Sequence, residues 1–388
     1  MAKKRKEKIT ITPSVLTWAR ERAGYKADQL AAKCNSVDIS GFERGDDRPT
    51  YREIEAIADK LQLPVAVFLL PEPPDWPPIE ETFRTLGSEQ FAEIPPRIRL
   101  LLHKARGFQI SLDELNNGRN PALTQIARDL PLHPTTNLVA AAKRIREYLG
   151  VSFEDQFGWT NAAVALKAWR SAFYKVGVSV FKDAFGDDNY CGFCLYDTEF
   201  PVIYVNNSNA KTRQIFTIFH ELAHLLHKTS GVDRRDAFKH GHIYEHAEIE
   251  KRCNALANAI LVPASALDND LQGAPASREE AERLAKRFRV SSTVIYRNFR
   301  DRGLIAQTEY ESFIAEQNTQ WQNRHLDKKK RGGGDSYRTR LAYLGEDYVE
   351  LAFRRYYEER IDDEELAEYL NIPPKQIDKL EQTFLGER

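Results

Sequence analysis

The sequence predicts an α+β chain that is predominantly helical. Three observations carry this: helical apolar spacing dominates both ends, one short stretch near 174–206 changes period, and two strong helices follow it. The expected organisation is an all-α domain over 1–70, a proline-rich linker over 71–94 and a helical connecting region over 95–160. A sheet-containing domain then spans 161–275 and a helical unit 276–327. A basic and glycine-rich linker at 328–336 leads to a helical region at 337–388.

Composition bounds the class. The 388 residues are 42% hydrophobic and 29% charged, enough to build sizeable cores. Lys+Arg total 56 and Asp+Glu 57, for a net charge of −1, which excludes a uniformly basic nucleic-acid binder but not a local basic patch. No apolar run approaches the roughly 18 residues of a membrane span. The opening Met1-Ala-Lys-Lys-Arg-Lys lacks the apolar segment of a signal peptide. Four cysteines do not make a disulfide scaffold. A cytoplasmic protein without membrane partners is expected.

In the first domain Pro13 suits a helix start. Val15, Leu16, Ala19 and Ala23 recur at helical spacing until Gly24 stops them. A second helix carries Leu30 and Ala31, a third runs from Val37 to Arg44, and Pro49-Thr50 begins a fourth. Pro71-Glu-Pro-Pro-Asp-Trp-Pro-Pro78 continues no helix. From 95 to 150 the expected core positions are Leu100, Leu101, Ala140, Ala141, Ile145 and Leu149. Val178–Phe181, Gly192–Tyr196 and Val202–Val205 read as strands, and 211–229 and 245–261 as helices.

The chemistry lies in Ile218-Phe-His-Glu-Leu-Ala-His224. Residues four apart share a helix face, so His220 and His224 can bind one metal ion. Glu221 lies beside it, placed to take a proton from water. Ile215, Phe216, Ile218, Phe219, Leu222, Leu225 and Leu226 make the helix apolar almost all round, so its histidines need partners. One Zn²⁺ per chain requires a third protein ligand. Glu250, 26 residues beyond His224, is the candidate, with Glu245 and Glu248 as competitors. Asn254, one turn further on, is expected to orient a histidine. His240, His242, Tyr244 and His246 are candidates for stabilising an oxyanion. His227 reads as a helix-end residue. Cys191-Gly-Phe-Cys194 is a lone pair whose thiols diverge in a strand and serve packing.

The run Arg213-Gln-Ile-Phe-Thr-Ile-Phe-His-Glu-Leu-Ala-His-Leu-Leu-His227, with Glu250-xxx-Asn254-Ala-Leu-Ala-xxx-Leu-Val-Pro263, resembles the ImmA/IrrE family of metallopeptidases. The resemblance covers about 160–310 and implies a zincin-like domain. It assigns zinc to His220, His224 and Glu250, and general-base work to Glu221. Members cleave transcriptional repressors, so a regulatory protein is the implied substrate. Cys253 stands where the family has a small residue, without disturbing the metal site.

Residues 14–70 resemble an Xre-type helix-turn-helix through Val15-Leu-xx-Ala19-Arg20, Leu30-Ala31, Ile39-Ser-Gly-Phe-Glu43-Arg-Gly45, Pro49-Thr50 and Ile57-Ala58. That places Asp38, Ser40 and Gly41 towards the bases of operator DNA, a poor reading set. Lys33, Arg44 and Arg48 would face phosphates, and Lys3, Lys4, Arg5, Lys6 and Lys8 would form a basic arm. Residues 283–300 and 361–380 have a similar helical shape. The leading expectation is a zinc endopeptidase fused to an Xre-like DNA-binding domain. The alternative is an antitoxin or transcriptional regulator of a toxin–antitoxin module, which binds a toxin and operator DNA with little or no proteolysis. A strand at Val202–Asn206 is expected to offer an exposed edge to an extended substrate.

Overall fold

The computed structural model describes residues 7–79, 91, 93–234, 244–328 and 335–386; of 234, 244–247, 318 and 320–328 it describes the backbone alone. The Lys3–Lys6 part of the basic arm, His240, His242 and most of the 328–336 linker lie outside the described residues, as do the side chains of Tyr244, Glu245 and His246. The fold is α+β and predominantly helical. It divides into two compact units, Met1–Gly107 and Phe108–Arg388.

In the first unit, helices Pro13–Arg22, Ala27–Lys33, Ile39–Arg44 and Tyr51–Leu61 surround Leu16, Leu30, Ile39, Phe42, Ile54 and Ile57. Their ends follow the sequence. Thr50 and Glu53 form a capping box, the Thr50 amide donating to the Glu53 carboxylate at 2.7 Å. Arg20 reaches from the first helix to Glu43 on the third at 2.6 Å, both side chains 13% exposed. The proline-rich segment is held against this unit, since Trp76 packs edge-on to Trp18 at 5.4 Å and the Arg22 guanidinium lies over both rings. Helix Pro96–Leu115 runs through the boundary, its residues to Gly107 belonging here.

His103, on that helix, sits 3.2 Å from Arg22 Nη2 and 3.3 Å from the Arg22 carbonyl. Burial and the Arg22 charge push its imidazole from 6.5 down to about 4. The folded chain therefore keeps His103 neutral where the unfolded chain protonates it. Its contribution is present above pH 6.5 and is lost as pH falls towards 4. Between pH 7 and pH 5 the loss is expected to be about 2 kcal/mol. Thermal unfolding at the two pH values should show that loss in the wild type and a flatter response in His103→Gln. Equal responses would remove the assignment.

In the second unit four strands form one sheet in the order β1-β3-β2-β4: β1 Ser179–Asp183, β2 Tyr190–Leu195, β3 Val202–Asn206 and β4 Gly231–Arg234. β3 runs parallel to β1 and antiparallel to β2, which pairs antiparallel with β4. The first three strands are buried throughout, because both faces are covered. On one face lie helices Ala162–Lys175 and Lys211–Leu226; on the other, Phe108, Phe181, Tyr204 and Tyr348 stack together. Gly192 allows the second of those helices to approach, since a Cβ there would lie 2.5 Å from Thr217 Cγ2 and 2.9 Å from the Tyr204 carbonyl oxygen.

Three expectations are corrected here. Val202–Asn206 is not an exposed edge; it is paired on both sides, because its apolar run suits the middle of the sheet. Among the described residues the edges are β1 and β4. Ala140 is exposed, and the buried face of helix Leu138–Leu149 carries Ala141, Ala142, Ile145 and Leu149 instead. β4 was absent from the predicted strands, its four residues being too few for a period to register.

The helix that carries Glu250, Tyr244–Leu261, packs against Lys211–Leu226 and against Leu138–Leu149. Arg146 fastens the arrangement from a buried position. It donates to Gln156 Oε1 at 2.8 Å, to the Ile260 carbonyl at 3.0 Å and to the Val151 carbonyl at 3.1 Å, with the Phe153 ring 3.7 Å away. Helices Arg278–Phe288 and Ser292–Asp301 follow, and four short helices from Ser336 to Gly386 complete the chain, the first of them lying on β1. Among the described residues no helix is long and apolar enough to cross a membrane.

Candidate metal centre

Every residue of helix Lys211–Leu226 from Gln214 onward is buried, and this places two imidazoles in the core, His220 at 1% and His224 at 4% exposure. Their four-residue spacing puts both on one face, towards the Tyr244–Leu261 helix. There Glu250 closes the set. Its Oε2 is 3.2 Å from His220 Nε2, its Oε1 is 3.2 Å from His224 Nε2, and the two Nε2 atoms are 3.2 Å apart. Tetrahedral zinc with bonds near 2.0–2.1 Å spaces its ligand atoms by about 3.3 Å. The donor set fits such an ion. Among the described residues it is the group of acidic, histidine or cysteine side chains that can hold a metal. Glu248 is exposed and lies beside Lys251, away from the histidines.

The electrostatics say the same. Burial alone would lower the histidines, yet Asp233 and Glu250 raise His220 to about 9, while Cys253 and Glu250 raise His224 well above its ordinary value. Glu250 sits far below the carboxylate range, since the two histidines outweigh its own burial. Two imidazoles and a carboxylate thus hold positive charge between them, which a divalent cation supplies without protons. Glu221 differs. Burial raises its carboxyl to about 7 against the opposing pull of His220 and His224. Both of its oxygens are buried, and the weakly donating Cys194 thiol is the side chain set against them. A carboxylate kept in that state costs stability, so its retention points to a role in chemistry.

The segment after the helix supports the histidines, and sequence reading missed it. Thr229 Oγ1 donates to the His224 carbonyl at 3.1 Å and faces His224 Nδ1 at 3.4 Å. With the ring proton on Nδ1, the Nε2 lone pair faces Glu250 and His220. Asp233 on β4 accepts from Thr217 at 3.2 Å and from Arg213 at 3.1 Å, and its charge acts on His220. Nothing in the four-residue Gly-Val-Asp-Arg stretch signals this role. Asn254 is corrected: its amide donates to the Glu250 carbonyl at 2.9 Å, fastening the ligand's own helix rather than a histidine ring. Cys253 is also closer than expected, buried against His224. The Cys191 and Cys194 thiols are both buried and are not joined in a disulfide. A register shift at Cys191 brings it to Arg213 at 3.2 Å, while Cys194 lies beside Glu221, so both meet the same helix. Arg213 and Glu221, which they meet, stand about two turns apart along that helix, about 12 Å. His227 caps the helix end, as read.

Gly231 sits directly behind His224. A Cβ there would lie 3.0 Å from ring atoms Cδ2 and Cγ and 3.1 Å from Nδ1. Gly231→Ala is therefore expected to tilt the ring and weaken metal binding by about tenfold with all ligands present. Competition with a zinc chelator measures this, and unchanged affinity would mean that the ring does not depend on the close approach.

In the first unit the assigned DNA contacts are only partly available. Lys33, Ser40 and Arg48 are exposed. Gly41 is corrected: it is buried, because the Asp38 side chain folds over it, accepting from the Gly41 amide at 2.9 Å as the cap of helix Ile39–Arg44. Arg44 is exposed and paired with Asp46 at 2.6 Å, and Lys8 is paired with Asp47.

No curated protein matches the chain. Residues 174–300, which contain the whole sheet, both histidines, Glu221 and Glu250, match the family model Peptidase_M78, described as the IrrE N-terminal-like domain, and this stretch is accordingly of metallopeptidase type.

Proposed function

We propose that the chain is a zinc-dependent endopeptidase that cleaves a regulatory protein, with His220, His224 and Glu250 holding the ion and Glu221 as general base. The observation that carries this reading is the convergence of three ligand atoms at 3.2 Å beside a fully buried carboxylate. When bound, zinc polarises the scissile carbonyl and makes water easier to deprotonate. Glu221 takes that proton as the water oxygen bonds to the carbonyl carbon. It then delivers the proton to the amine as the carbon–nitrogen bond breaks. A carboxyl near neutral pH suits both transfers. β4, the last strand of the sheet and directly behind His224, is the edge to which an extended substrate would add.

The test compares protein N-termini in cells expressing the wild type or Glu221→Gln. A new terminus that depends on the wild type names the substrate. No difference under resting and stressed growth would overturn cleavage and favour a regulator that binds a toxin or operator DNA. For that second reading the support is thin: of the six assigned DNA contacts, Gly41 is buried, Asp38 serves as a cap and Arg44 is paired.

A further inference from the structure

A cavity of about 510 Å³ opens at the outer side of β1, and no metal ligand lines it. Its wall is largely apolar, with Val164, Ala168, Leu341 and Leu344 contributing. One group breaks the pattern. Lys182, on β1, lines the cavity at 5% exposure, and among the described residues no carboxylate pairs with it. The adjacent Asp183 belongs to the other face of the strand, 3.3 Å from the Tyr204 hydroxyl. The charges nearest Lys182 are Arg170 and Lys211, both positive; burial, reinforced by these two, pushes its amine down to about 6. Arg170 is fixed in place by the Val180, Ala342 and Tyr343 carbonyls. Lys211 opens a sixteen-residue helix, whose positive end adds to the local potential.

The lining carries two carboxylates, and neither pairs with Lys182: Glu346 pairs with Lys167 at 2.6 Å, Asp347 lies 3.5 Å from Ser171 Oγ, and both offset part of the Arg170 charge. A buried lysine facing two further cations is an arrangement that folding opposes, unless an anion completes it. The volume is that of a small-molecule site. We propose that this cavity binds a phosphorylated small molecule, its phosphate on Lys182, Arg170 and Lys211 and its apolar body along Val164, Ala168, Leu341 and Leu344.

Calorimetric titration of the full, zinc-loaded chain with phenyl phosphate tests this, with phenol as the uncharged counterpart. One phenyl phosphate is expected to bind per chain, and phenol not at all. Lys182→Met should weaken binding at least tenfold. Without ligand this variant should melt no lower than the wild type, because it replaces a buried amine that no carboxylate pairs with by an apolar side chain. Lys211→Ala, at a half-buried position, should weaken binding several-fold and keeps the test decisive if Lys182→Met does not fold. Absence of binding at millimolar phenyl phosphate, equal binding of phenol, or wild-type affinity in the variants, as binding at the zinc would give, overturns the proposal.

Discussion

Replacing Glu221 by glutamine is expected to leave one zinc bound per chain and to lower kcat for peptide hydrolysis about 10²–10⁴-fold. Glutamine keeps the shape of the side chain and removes its capacity to accept a proton. The glutamine oxygen can still accept from the Cys194 thiol, the side chain set against Glu221, so the change falls on chemistry rather than on architecture. KM should move little if the carboxylate acts only while the proton is in transit. Metal content and kcat on a peptide spanning the cellular cleavage site, measured together, decide the matter. Loss of zinc would make Glu221 a structural support, and full activity would remove it from the mechanism.

The second large effect is expected from Glu250→Ala. Glu250 meets both histidines at 3.2 Å and is the negative charge of the ligand set. Its loss should weaken zinc binding beyond the about 10–100-fold that follows from removing a supporting partner. Peptidase activity should fall with zinc occupancy and return only at high added zinc. Glu248→Ala is the internal control: an exposed side chain beside Lys251 should be replaceable without effect. Equal zinc affinity in both variants would mean that the third ligand has been misassigned.

The metal helix was legible because two signals coincide in it. A histidine pair at one-turn spacing sits inside an apolar run too continuous for a surface helix, and burial from Gln214 to Leu226 follows from that run. Glu250 was legible through its own helix, whose return places it opposite the pair. What the sequence hid lies on short or non-periodic pieces. Thr229 and Asp233 belong to a turn and a four-residue strand, whose geometry comes from pairing with β2. The position of Val202–Asn206 within the sheet was also hidden. Strand order depends on which partners win on each side, and an apolar run reports burial without naming neighbours. Lys182 was invisible for the opposite reason: a lysine in a strand reads as solvent-facing, and only tertiary cover makes it unusual.

The helix Ser336–Leu344 and Arg170 occupy the free side of β1, and Arg170 takes the Val180 carbonyl for itself. The sheet is consequently polar in the sense that a crystal face can be: growth is blocked at the β1 end, while among the described residues no strand follows β4 at the other. A second copy of the chain cannot template on β1, which removes a common route to ordered aggregates. On the proposed reading the same asymmetry leaves strand addition to the end at which the histidines stand, where an extended segment completing the sheet would lie beside them.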